Sequence, residues 1–455
     1  MPFLGRSASM SIGAVRLALK MDVPICFCVV TRDKNNTNHR LVIEKPFELT
    51  KTTNTSKDIT DNLVQVTNVM GKYVSKFPQE YMWFYKIWKY SKQSTVVILS
   101  DGKIGHERQS QSVVRMLAKA LAQRNIKLDS NVIKIVYKSK AASKTHSFLS
   151  SIIPAWISQG HLDYLKMFLT PDSYLKVVQA KADFVVSCGS SVAGLNYHFA
   201  KDHCAKAIAV LRPGISSLSV FDSVILPLHD KPNFKSTPKN VVFTKGSPNL
   251  ITKEYLQEQS ERLLNRYSHL KSKMRFKIGV FIGGDSANVY LSIKQMRVFV
   301  NQIKDIARQM NADILLTTSR RTPKSIESLL FRELKKDKHC PLMIQANQED
   351  VPEAVGGMMG LSDLLIVSGD SLSMISEAAS SGKKTIVFKP MGREILIKDS
   401  NKHESFAIKL HDKGYIFSTD VKHIGQTISN IIMSKIQTRK LDDNKVIFEA
   451  LKHVI

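Results

Sequence analysis

Short apolar runs recur along most of this chain at intervals that suit a strand followed by a helix. Leu364 to Val367 is one such run, too short for a helix and unbroken as in a strand covered on both faces. Ser368-Gly369-Asp370-Ser371 then makes a turn whose last residues can cap a helix. From Leu372 to Ser380 the spacing becomes helical, with Met374, Ile375, Ala378 and Ala379 on one face; Ser381-Gly382 stops it, and Thr385 to Phe388 reads as the next strand. The same unit starts at Thr95–Leu99, followed by a helix carrying Val113, Val114, Leu117 and Leu121 on its apolar face. It recurs at Asn131–Tyr137 and in FVVSC, AIAVL, SVILP, VVFT, KIGVFI, ADILLTT and YIFSTD. Alternating β and α segments predict doubly wound parallel sheets, and 455 residues exceed one ordinary core. A polar helical stretch, Thr252 to Met274, divides an α/β domain over residues 93–250 from a second over 251–455, which ends in a helix from about Asn444.

Residues 1–92 follow another pattern: a helix (Ile12–Lys20), a strand (Pro24–Thr31), an Asn-rich turn, a strand (Arg40–Ile43) and a longer helix (Asp58–Lys76). The block PQEYMWFYKIWKY closes this piece, mixing aromatic residues with lysine as a membrane-interface or packing edge does. Cys26 and Cys28 alternate within the expected strand, which predicts two small buried side chains on one face.

Candidate chemistry sits where the strands end, because open α/β sheets bind ligands at the carboxyl ends of their strands. After Leu99 come Asp101, Gly102, Gly105 and His106; glycine admits a ligand to the backbone, and His106 suits either proton acceptance from a hydroxyl or a helix-start capping role. Gly283-Gly284 follows KIGVFI. Ser319-Arg320-Arg321-Thr322 follows DILLTT, and two arginines there suit a diphosphate or a solvated charge pair. Free N–H groups after Asp370-Ser371 offer an anion site, and Glu377 lies within reach of a sugar hydroxyl held there. The stretch SFLSSIIPAWISQGHLDYLKMFLTP is apolar and aromatic with Lys166, and reads as an interfacial patch reaching a lipid-linked acceptor or as a buried pair of short helices.

Composition narrows the partners. Lys and Arg number 66 against 39 Asp and Glu, a net +27, which favours nucleotide phosphates, nucleic acid or an acidic membrane surface. The excess is spread without a long basic run, and zinc-finger and RNA-binding aromatic spacings are missing, so no nucleic-acid partner is expected. Neither G-x4-G-K-[ST] nor G-x-G-x-x-G occurs, which counts against NAD or FAD; no metal motif of the D-x-D type is seen, so no cofactor and no metal are expected. Five scattered cysteines point to a reducing compartment, and no apolar run approaches a membrane span, so the expected location is cytoplasmic with peripheral contact at the inner membrane.

Two resemblances sharpen this picture. MPFLGRSASMSIGAVRLALKMDVPICFCVVTR with PQEYMWFYKIWK resembles the carboxyl-terminal part of the lipid A biosynthesis acyltransferase family. That family's catalytic His-x4-Asp pair would lie upstream of Met1, and no His of the chain has Asp five residues later, so the resemblance predicts a fragment without acyltransferase activity. LSDGKIGHERQS, FDSVILPLHD, GSPNLIT, FIGGDSA, TTSRRTP and SGDSLSMISEAASSGK resemble the mitochondrial fission ELM1 family over about residues 95–440. Each stretch is weakly specific alone; six in one order are strongly so.

That second resemblance implies a GT-B-like fold, with two Rossmann-like domains facing a cleft, and a nucleotide-sugar-dependent glycosyltransferase. Gly283, Gly284, Ser319, Arg320, Arg321, Thr322, Asp370, Ser371, Met374 and Glu377 would take the donor. Asp101 and His106 would carry catalysis, and Gly102, Gly105, Gln109 and Ser190 would face the acceptor. The acyltransferase-like neighbour implies a lipopolysaccharide or lipid A acceptor at the cytoplasmic membrane face. The family's link to mitochondrial fission implies an alternative, a non-catalytic adaptor that recruits membrane-remodelling partners. A nucleotide-sugar epimerase on the same fold is a third.

Overall fold

The computed structural model describes residues 1–455 apart from 33–37, 84–86, 89–90, 215, 233–236, 273–274, 287–288, 393–399, 435 and 437. Two compact units divide the chain: Met1–Thr95 with Leu121–Asp129, and Val96–Ala120 with Ser130–Ile455.

The larger unit carries two six-stranded sheets. Strands β1 (Gln93–Ser100), β2 (Lys127–Lys134), β3 (Phe184–Cys188), β4 (Lys206–Val210), β5 (Ser223–Pro227) and β6 (Val241–Thr244) form the first, in the order β6-β5-β4-β3-β1-β2. Strands β7 (Lys277–Ile282), β8 (Asp313–Thr318), β9 (Leu342–Ile344), β10 (Leu364–Ser368), β11 (Lys384–Phe388) and β12 (Phe417–Thr419) form the second, in the order β9-β8-β7-β10-β11-β12. All five pairings of the second sheet are parallel, as are β1–β3, β3–β4, β4–β5 and β5–β6 in the first. Parallel strands need crossovers, and helices supply them: α1 (Ile104–Ala122), α2 (Lys140–Ile152), the short α3 (Ala155–Ser158), α4 (Pro171–Gln179) and α5 (Ala193–Asp202) in the first lobe. The second has α6 (Lys253–Arg266), α7 (Ile293–Gln309), α8 (Lys324–Leu334), α9 (Ala354–Leu361), α10 (Leu372–Ser380), α11 (Ser400–Asp412) and α12 (Ile424–Met433). Helices on both faces explain why β10 is buried at every position, Leu364 to Ser368.

The last helix, α13 (Asn444–Lys452), leaves the second lobe and packs on β5 and β6 of the first. Ile447 and Leu451 are its buried positions, and Asp443 just before it accepts the Gly246 N–H at 2.8 Å. Ser247 N–H to Ser376 Oγ (3.0 Å) and Asn249 Nδ2 to Ser380 Oγ (3.1 Å) stitch the connecting segment to α10. Both lobes therefore share one chain crossing in each direction.

Strand order locates the ligand edge of each lobe. Successive crossovers leave the first sheet on opposite faces between β1 and β3, and the second between β7 and β10; such switch points open a crevice at the carboxyl ends of the strands.

Two local expectations are corrected. The strand expected at Asn131–Tyr137 begins earlier, at Lys127, and ends at Lys134. It is an edge strand with Ile133 as its one buried position, so most of it carries no apolar signal. Cys26 and Cys28 are both exposed, because the hairpin Cys28–Arg32 with His39–Ile43 has little cover. That hairpin belongs to the smaller unit, with helices Gly13–Met21 and Thr55–Lys76 and a cluster in which Phe3, Ala8, Val74 and Ile87 are buried. Part of its aromatic block, Phe84 to Lys86 with Lys89 and Tyr90, lies outside the described residues.

Leu451 is completely buried. Leu451→Ala is expected to cost about 2–5 kcal/mol, as large-to-small core changes do. A fall in the urea midpoint of the first lobe's unfolding checks it; an unchanged midpoint would mean that α13 does not hold that lobe.

Candidate functional site

At the first switch point the loop after β1 turns tightly through Gly102, whose φ is +80°, and enters α1. Asp101, with its side chain 7% exposed, collects three partners on one oxygen: His106 Nδ1 at 3.0 Å, Ser191 Oγ at 3.0 Å and Lys103 Nζ at 3.0 Å. Burial alone would raise this carboxyl. The hydrogen bonds and charges of His106 and Lys103 outweigh burial and hold it well below the usual carboxylate range. Asp101 is therefore ionised, and it fixes the Nδ1 edge of the His106 ring. Gly189, at φ +83°, follows β3 directly; a Cβ there would lie 2.8 Å from His106 Cε1, so the ring lies against a residue that only glycine fits. Gly105 has open space about it, and Ser190 is exposed beside the same loop.

At the second switch point the organising group is Asp370, whose side chain is fully buried. It accepts the Gly284 N–H at 2.9 Å, the Ser368 hydroxyl at 2.6 Å and Arg321 Nη2 at 3.2 Å. The Ser368 hydroxyl in turn accepts the Gly283 N–H at 2.6 Å. Burial raises the Asp370 carboxyl, opposed by Ser368, the Gly284 N–H and Arg321. A Cβ on Gly283 would run into the Asp370 carboxylate, and one on Gly284 into the Arg321–Thr322 backbone. Both glycines are thus required by close approach, and their N–H groups are spent inside the lobe.

Thr322 donates to the Gly283 carbonyl and accepts the Ser319 N–H at 2.9 Å, so Ser319 and Thr322 tie their loop to the glycine loop. The two arginines part company: Arg321 joins Asp370 at the switch point, whereas Arg320 turns toward exposed Asp350, 3.5 Å away. Ser371 caps α10 by accepting the Met374 N–H at 3.4 Å, and Met374 itself is partly buried. The Leu372 and Ser373 N–H groups have no acceptor within the helix, as at any helix start. Beside Gly369, a cavity of about 530 Å³ runs past Lys389 and Pro390 to Glu404 and Thr419.

The lobes meet between these clusters. Gln109, three residues after His106 and buried, donates to Ser373 Oγ at 3.1 Å, and Arg108 donates to the Pro352 carbonyl at 3.3 Å. Gln109 is thus a bridge rather than an open face of the first lobe. Glu377, one turn beyond Ser373, is pushed up by burial and pulled the other way by the Arg108 charge, and Tyr255 feels both. Arg108, Ser191, Gly189 and Ser373 were not singled out from sequence; GHER, which places Arg108 two residues past His106, and GSS, just past a strand, were the available signals. Among the described residues no cluster of three or more His, Cys, Asp or Glu is placed to hold a metal, and no helix is long and apolar enough to cross a membrane.

Two doubly wound lobes with facing switch-point loops and a terminal helix crossing back define a GT-B-like α/β protein. The sequence matches the profile described as mitochondrial fission ELM1 over residues 104–454, so the chain belongs to that family. Residues 1–90 match the profile of bacterial lipid A biosynthesis acyltransferase. An uncharacterized protein of Rickettsia prowazekii (strain Madrid E) is 25% identical over 276 residues, 54% of this chain and 74% of that protein. The mitochondrial fission protein ELM1 of Arabidopsis thaliana is 26% identical over 191 residues, 38% of this chain; the match spans 43% of that relative. Among solved structures, a UDP-GlcNAc 2-epimerase from Methanocaldococcus jannaschii is similar at 15% identity and TM-score 0.49, over 78% of this chain and 98% of that one. A glycosyltransferase from Rickettsia africae ESF-5 is similar at 14% identity and TM-score 0.41, over 80% and 93%.

A carboxyl whose folded pKa is depressed stabilises the fold above its unfolded value and loses that contribution as pH falls. Asp101→Asn is therefore expected to cost stability by an amount that is constant at neutral pH and shrinks as pH drops below 3.8, the ordinary value of the group. Urea titrations of both proteins across that range check it. A difference that persists undiminished in acid would mean that the ionised form of Asp101 is not what the site holds.

Proposed function

We propose that this chain is a nucleotide-sugar-dependent glycosyltransferase. The donor would lie at the carboxyl edge of the second sheet, and a lipid-linked or lipid A-type acceptor would enter from the first lobe at the cytoplasmic membrane face. The observation that carries the reading is the pairing of two unlike clusters on one crevice. An ionised Asp101 behind His106 stands on one side, Arg321 and the α10 amino terminus on the other, and the Gln109–Ser373 bond joins their elements.

The chemistry follows from the groups present. His106 Nε2, with Nδ1 held by Asp101, would take the proton of an acceptor hydroxyl as that oxygen attacks the sugar. Asp101 stabilises the imidazolium that results. Negative charge then gathers on the departing diphosphate, where Arg321 and the Leu372 and Ser373 amides would neutralise it. Glu377 repels phosphate but accepts from hydroxyls, which suits the ribose or sugar. Gly283, Gly284, Ser319, Thr322 and Asp370 act in this scheme by shaping the loop that presents Arg321. No cofactor or metal is needed for these steps.

The name carried by the Arabidopsis relative supports a second reading, an adaptor in membrane fission that keeps the GT-B shape without turnover. It would bind its partners whether or not the crevice is intact.

A panel of nucleotide sugars is expected to raise the melting temperature of the full chain, since a ligand that binds only the folded form stabilises it. Arg321→Ala and Glu377→Ala should remove that rise. His106→Ala should keep it while lowering transfer about 10²–10⁴-fold, the usual worth of a general base. No rise with any nucleotide sugar, or an undiminished rise in Arg321→Ala, would sink the transferase reading.

A further inference from the structure

The first lobe holds another cavity, of about 310 Å³, under α2 and α3. Its walls are mainly apolar, with Leu149, Ile153, Ile157, Met167 and Phe168 around a floor that includes His146 and His198. Burial pushes His146 down to about 4, with the charge of His198 adding to it, so the ring is neutral at physiological pH. His198 Nδ1 lies 2.6 Å from Ser158 Oγ, and its Nε2 makes no hydrogen bond among the described residues. The cavity thus combines hydrocarbon walls with a few buried polar side chains, His146, His198 and Tyr164.

What stands outside the cavity is as telling. Trp156 is 74% exposed, and Phe148 and Ile152 on α2 and Ile157 on α3 are exposed too. On α2, Lys140, Lys144, Phe148 and Ile152 follow one another at four-residue spacing, so one exposed stripe runs from cationic to apolar. Between residues 138 and 169 the chain carries Lys138, Lys140, Lys144 and Lys166 against the single acid Asp163. Such a mouth suits hydrocarbon joined to negative charge, since lysine stems lie along apolar surface while their ammonium groups meet an anion.

A hydrogen-bonded path joins the cavity wall to the crevice. His146 Nδ1 lies 3.2 Å from the Tyr137 hydroxyl, which donates to the Ser191 carbonyl at 3.1 Å; the Ser191 hydroxyl donates to Asp101. One loop residue therefore touches both the support of the cavity and the support of His106.

We propose that this cavity is the subsite for the hydrocarbon chain of an anionic amphiphile, with α2 lysines meeting its head group. As an acceptor subsite it rests on the transferase reading above; as a binding site it stands on its own lining and charge.

The test is calorimetric titration of the full chain with dodecanoate below its micellar concentration, beside dodecyltrimethylammonium and butyrate. Saturable binding of one dodecanoate is expected. Leu149→Trp and Ile153→Trp, which fill the cavity from successive turns at the end of α2, and Lys140→Glu with Lys144→Glu should each weaken it at least about tenfold. The cationic chain and butyrate should bind at least about tenfold more weakly than dodecanoate. Absence of saturable binding, undiminished binding in both tryptophan variants, or equal affinity for the cationic chain would overturn the assignment. The nucleotide-sugar melting shift, measured on the same variants, separates the two readings. A normal shift without dodecanoate binding removes the chain subsite alone. Dodecanoate binding without any nucleotide-sugar shift keeps the lipid site and removes the transferase.

Discussion

A fully buried carboxylate holds the second lobe's ligand edge together. Asp370 accepts hydrogen bonds from the Gly284 amide, the Ser368 hydroxyl and the Arg321 guanidinium, and each comes from a different strand end or loop. Taking this charge out of water is costly and is offset only while all its partners are in place. Remove one and the others face a buried, underpaired anion, so loops after β7, β8 and β10 are fixed as a set. The two glycines are consequences of that demand. Their missing side chains let the loop close down on Asp370 and on the Arg321–Thr322 backbone.

The first lobe meets a similar demand differently. Asp101 is also buried and also accepts three bonds, but its partners include an amine and an imidazole, so its charge is favoured instead of penalised. Asp370 is pushed up, with burial the largest cause, and Asp101 is held down, with its neighbours winning. Two carboxylates at the switch points of two doubly wound sheets, one after β1 and one after β10, are therefore tuned in opposite directions. One lobe uses its acid to lock a scaffold, and the other to orient the His106 ring.

The strand–loop–helix repeat was legible because buried parallel strands read as unbroken apolar runs. Leu372–Ser380 and the start of the last helix at Asn444 were visible in the pattern and are where the structure has them. Edge strand β2 was misplaced because exposure erases that signal. Residue types at the strand ends located the loops, yet could not divide labour within them. Adjacent Arg320 and Arg321 look equivalent in sequence, and only the path of the backbone sends one to Asp370 and the other to Asp350. Gln109, which the family resemblance places toward the acceptor, is buried where the lobes meet and donates to Ser373, a contact between lobes that the sequence pattern does not show. Likewise the apolar segment after residue 147 offered two readings, and the structure divides it: Leu165, Phe168 and Leu169 are core while Phe148, Ile152 and Trp156 face water.

A charge interaction crosses the crevice beside the hydrogen bonds that join the two lobes. Arg108, on α1 of the first lobe, is the cation that pulls on Glu377 of the second, and it also donates to the Pro352 carbonyl. Glu377 makes no ion pair of its own among the described residues; burial raises its carboxyl and the Arg108 charge opposes this in part. His106 lies two residues before Arg108 on the same helix, and Ser373 lies four before Glu377 on its own. The helix pair α1 and α10 therefore carries His106, Arg108, the Gln109–Ser373 bond and Glu377 at fixed spacings, so what fixes one helix against the other fixes all of these groups together.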